Sequence, residues 1–70
     1  MYRLAIREEL ARLGHVGTPA RYVEAWMRLK HPTLDAISPK EFAIEVKSAL
    51  DCVHMSTDAE NNQVAESLGM

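Results

Sequence analysis

Three prolines divide this chain, and each stands where a helix starts or must stop. Pro19 follows Thr18, Pro32 follows His31 and Pro39 follows Ser38. A proline lacks the amide a helix interior needs, but its fixed φ suits the first helical turn. The stretches before, between and after these points carry apolar residues at helical spacing. None alternates for long enough to make a strand. The pattern predicts an all-α fold, a small three-helix bundle with a weak, possibly docked fourth helix.

Residues 2–13 place Tyr2, Ile6, Leu10 and Leu13 on one stripe, with Gly14 where a left-handed C-terminal cap is favoured. Glu8 and Arg12 are spaced as a favourable i,i+4 pair. Thr18-Pro19 opens a second helix, 19–30, halted at His31-Pro32. It carries Ala20, Val23 and Met27 on one line and Tyr22, Trp26 and Leu29 on the next. Only Arg21, Glu24 and Arg28 form a narrow polar strip, as expected of a central helix.

Ser38-Pro39-Lys40-Glu41 is the clearest local signature. Ser38 is placed to cap and Glu41 to bond back, with Ile37 and Phe42 spaced as a hydrophobic staple. The third helix runs over 39–54 with Phe42, Val46, Ala49, Leu50 and Val53 inward. The expected core is Ile6, Leu10, Leu13, Val23, Trp26, Met27, Phe42, Val46, Leu50 and Val53. Residues 1–55 form the core domain and 56–70 a tail or short helix. In that tail Thr57 and Glu60 can cap, Val64 and Leu68 lie one turn apart, and Asn61-Asn62-Gln63 weakens the helix.

A chain of 70 residues makes one domain and buries a small core. Its single cysteine, Cys52, excludes an internal disulfide, which fits a reducing compartment; a bridge between chains is the lesser alternative. Charged residues interrupt the apolar N-terminus and no apolar run is long enough for a span. The expectation is a soluble, cytoplasmic protein with no membrane partner.

Catalysis is not expected. Cys52 and His54 are two residues apart, hence about 200° apart on a helix, and cannot act as nucleophile and base. His15, His31, His54 and Cys52 show no zinc-ligand spacing, so no metal or other cofactor is expected. No small-molecule substrate is evident.

What remains is binding. Residues 1–30 carry six basic and three acidic side chains, and residues 31–70 carry two basic and seven acidic. Leu4, Ala11, Ile44 and Met55 lie off their helices' stripes. The favoured expectation is a non-catalytic interaction or regulatory module whose partner is another protein or a second copy of itself. Leu4, Tyr22, Trp26 and Ile44 are the candidate interface. The alternative is a DNA-binding regulator, because residues 8–26 look like a helix-turn-helix. Arg21 would then face bases while Arg3, Arg7, Arg28 and Lys30 meet phosphates.

Overall fold

The computed structural model describes residues 2–69. They form α1 (Tyr2–Arg12), α2 (Ala20–Lys30), a 3-10 turn at Leu34–Ala36, α3 (Pro39–Met55) and α4 (Asp58–Ser67), with no strand among the described residues. The helical core expected from the three apolar stripes is present, and α2 is its centre: α1, α3 and α4 all pack on it. Ile6, Leu10, Ala20, Val23, Met27, Leu34, Val46, Ala49, Leu50 and Val53 make one buried cluster.

The ends of the helices follow the sequence signals closely. After α1, Gly14 takes φ 82°. The His15 amide donates to the Leu10 carbonyl at 2.8 Å and the Gly14 amide to the Ala11 carbonyl at 3.1 Å. Those two bonds are a Schellman cap, which needs a residue tolerant of positive φ. Before α3, the Ser38 hydroxyl accepts from the Glu41 amide at 3.2 Å. Replacing Ser38 with Ala should cost about 1 kcal/mol. A thermal midpoint unchanged at equal protein concentration would contradict that.

Several expectations need correction. α2 begins at Ala20 rather than 19; Pro19 is its N-cap residue, and Thr18 makes no cap bond. Proline can set the entry angle there without supplying a side-chain acceptor. The complete capping box lies before α4 instead of α3: Thr57 Oγ1 accepts from the Glu60 amide at 3.1 Å, and the Thr57 amide donates to Glu60 Oε1 at 2.8 Å. Arg12 pairs with Glu9 at i,i+3 rather than with Glu8 at i,i+4. Leu13, Trp26 and Phe42 are half-buried. Leu13 falls beyond the end of α1, Trp26 turns its indole toward α4, and Phe42 lies beside Tyr2 and Ile37 in a shallow groove.

The weak fourth helix is docked. Asn61 is 1% exposed and Ala65 is fully covered. The Trp26 indole Nε1–H donates to Asn61 Oδ1 at 2.8 Å, and Asn61 Nδ2 donates to the Val53 carbonyl at 3.1 Å. One amide side chain therefore joins α2, α3 and α4. No helix of the described residues is long and apolar enough to cross a membrane.

Candidate functional site

Because α2 is apolar around most of its circumference, what its neighbours leave uncovered decides where a partner can bind. α3 lies beside it and the two do not close completely. Between them is a groove of about 250 Å³ lined by Trp26, Leu29, Ala49 and Cys52, with Lys30, Glu45 and Ser48 also at its walls. Three of the lining residues, Ser48, Ala49 and Cys52, are small. On the α3 wheel, Ile44 and Met55 fall within about 80° of Cys52, at about 100° per residue. They are 61% and 88% exposed, and Leu29 on the α2 side is 49% exposed. One face thus carries an apolar groove and protruding apolar side chains.

Of the four interface candidates read from sequence, this face takes two. Trp26 lines the groove and Ile44 stands beside it. Tyr22 is half-buried against the core, under the Arg21 guanidinium, whose carbon is 5.8 Å from the ring centre. Leu4 is exposed on α1, outside the groove lining. Sequence had placed Met55 among the off-stripe apolar residues but gave no reason to join it to Ile44, Leu29 and Cys52; that requires knowing how α2 and α3 pair.

The five basic candidates are largely engaged within the chain. Glu24, expected in an open polar strip, is buried and bonded by Arg3 Nε at 3.1 Å and Arg28 Nε at 2.9 Å. The Arg28 guanidinium also sits 5.7 Å from the Tyr2 ring centre. Arg21 Nη1 donates to Asn62 Oδ1 at 3.0 Å, reaching α4. Lys30 Nζ donates to Glu45 Oε1 at 3.2 Å. Arg7 is exposed and makes no hydrogen bond or ion pair among the described residues. Of these pairs, Lys30–Glu45 joins the basic half to the acidic one, whereas Arg3 and Arg28 are answered by Glu24 within the first half.

Glu45 is the second buried carboxylate. Besides Lys30 it meets His31 Nε2 at 2.9 Å, and Glu41 stands one turn before it on α3. The His31 hydrogen bond, then the Lys30 ammonium, hold the Glu45 carboxyl below the ordinary carboxylate range against the opposing effect of burial. A carboxyl depressed in the folded state stabilises the fold above its unfolded pKa and loses that contribution as pH falls through its folded value. Stability should therefore drop below about pH 4.5, and more steeply in the wild type than in Glu45→Gln. Parallel curves of thermal midpoint against pH would contradict this.

His31, Glu41 and Glu45 also bring three metal-type ligand atoms within 4.8 Å of one another. Histidine and cysteine spacing alone gives no sign of this grouping. The available signal was Glu41-x-x-x-Glu45, two carboxylates one turn apart on a helix, with His31 just before the connecting turn. His15 and His54 form a separate contact, ring centres 5.3 Å apart, that ties the α1–α2 loop to the end of α3. No protein-family model, curated protein or solved structure matches this chain.

Proposed function

We propose that the protein is a non-catalytic interaction module that pairs with a second copy of itself across the α2–α3 face. The observation that carries this reading is the coexistence of groove and protrusions on that face. A two-fold interface uses the same patch on both partners, so the patch must be complementary to itself. Ile44 and Met55 are knobs, and the small Ser48, Ala49 and Cys52 side chains of the lining leave the hole beside Leu29. Trp26 is the aromatic anchor type enriched where binding energy concentrates. Lys30 and Glu45 at the wall give a polar rim in which each already has its partner.

A chain this short also gains from more buried apolar surface. The DNA-binding alternative has less to rest on. Arg3, Arg21, Arg28 and Lys30 each hold a partner within the molecule, and α4 packs on the helix that would enter the groove.

Sedimentation equilibrium over a wide concentration range tests the pairing. The expected result is a monomer–dimer equilibrium with a concentration-dependent thermal midpoint. Ile44→Glu should weaken the dimer at least tenfold, which corresponds to about 1.4 kcal/mol. A monomeric mass at every concentration refutes the proposal.

A further inference from the structure

We propose that His31, Glu41 and Glu45 form a binding site for a divalent zinc-type metal ion. The three come from two elements that meet at the α2–α3 corner. His31 is the C-cap residue of α2, and Glu41 and Glu45 are one turn apart on α3. A mixed set of one imidazole and two carboxylates suits zinc and its first-row neighbours better than magnesium or calcium, which take oxygen ligands.

The geometry is close to what such an ion needs. Bonds of about 2.0–2.1 Å in a tetrahedral shell set ligand atoms about 3.3 Å apart. His31 Nε2 and Glu45 Oε2 are 2.9 Å apart, so the ion needs that edge to open by only a few tenths of an ångström. All three ligand atoms already lie within 4.8 Å. Glu41 is exposed, and its side chain can swing to close the remaining gap. Glu45 is held from behind: Lys30 Nζ bonds Oε1 and leaves Oε2 for the ion. Such outer bonds orient ligands in metal sites. With three protein ligands, a tetrahedral ion would complete its shell with a water.

A second observation concerns Glu41 itself. It sits third in α3 behind a Ser N-cap, where the usual partner of its carboxylate is the Ser38 amide. Only the Ser38 half of that exchange forms. The Glu41 carboxylate makes no hydrogen bond or ion pair among the described residues, yet it lies beside a second carboxylate one turn away. Like charges at i,i+4 repel, and a dication between them removes that cost. His31 binds through the Nε2 lone pair, so a neutral ring carries its one proton on Nδ1 when the ion is bound, and an imidazolium ring releases its Nε2 proton to solvent.

The test is calorimetric titration of Zn²⁺ into the full chain, with Co²⁺ absorption as a second readout. One ion per chain is expected, with Co²⁺ developing the intense ligand-field bands of a four-coordinate site. Glu41→Gln removes an exposed carboxylate with no bonds and its repulsion of Glu45, so the metal-free thermal midpoint should not fall below the wild-type value while Zn²⁺ affinity falls at least tenfold. His31→Ala should weaken binding at least as much. His15→Ala with His54→Ala removes the other histidine contact and should leave the affinity unchanged. Absence of saturable Zn²⁺ uptake overturns the proposal. So does uptake that survives Glu41→Gln at full strength, or that is lost with His15 and His54.

Discussion

Replacing Asn61 with Leu should cost about 2 kcal/mol and release α4 from α2. The substitution keeps the number and branching of the heavy atoms, with somewhat bulkier methyl ends, and removes both hydrogen bonds. It leaves the Trp26 indole N–H without its acceptor and takes one donor from the Val53 carbonyl. Each polar group stranded in a covered site costs about 1–3 kcal/mol. The Ser56 amide still reaches the Val53 carbonyl at 3.4 Å, which keeps the estimate toward the lower part of that range. A chain of this size has about 4–10 kcal/mol of total stability, so the loss is a large fraction of the whole.

The effect should also be local before it is global. α4 is a short helix with only Asn61 and Ala65 buried, so it can open while the other three stay packed. Trp26 is the chain's one tryptophan, so its emission reports the event directly. The expected results are a red shift at temperatures below the main transition and faster amide exchange over residues 58–67. Unchanged emission and unchanged exchange would show that Asn61 does not hold α4.

That residue also marks the limit of what was legible in the sequence. The first three helices could be read because each combines a stripe of large apolar side chains with a strong end signal. Gly14 and Ser38 do in the structure what their chemistry implies. α4 could not be read in the same way. Its visible stripe, Val64 and Leu68, is half-buried and exposed, whereas the buried pair is Asn61 and Ala65. Asparagine counts against a helix on propensity. Here its amide satisfies a donor on one neighbouring helix and an acceptor on another, and Ala65 lets the backbones approach. Tertiary partners reversed the local preference. Glu24 follows the same logic: a lone acid in a polar strip gave no sign that Arg3, twenty-one positions earlier, would reach it. The α2–α3 face was legible only in fragments, since Trp26 and Ile44 belong to different stripes until the helices pair.

Ile6→Ala should cost about 3 kcal/mol, within the range of about 2–5 kcal/mol for truncating a buried aliphatic residue. α1 holds its place through very little. Ile6 and Leu10 are its only buried side chains, and Ile6 is fully covered. The Arg3–Glu24 pair adds a tie that is partly exposed on the arginine side and therefore weak. Truncating Ile6 removes one of the two buried apolar anchors of α1 and leaves a cavity in the buried cluster, where close packing limits collapse.

Leu4, two residues from Ile6 and so on the opposite side of α1, is 64% exposed and is the internal control. Leu4→Ala should change stability by no more than about 0.5 kcal/mol. It should also leave the dimer intact if pairing uses the α2–α3 face, because Leu4 does not line that groove. Chemical denaturation of the two variants, each at a fixed concentration, separates the outcomes. Equal losses would mean that α1 does not bury the Ile6 stripe. A dimer weakened by Leu4→Ala, with stability preserved, would move the interface onto α1.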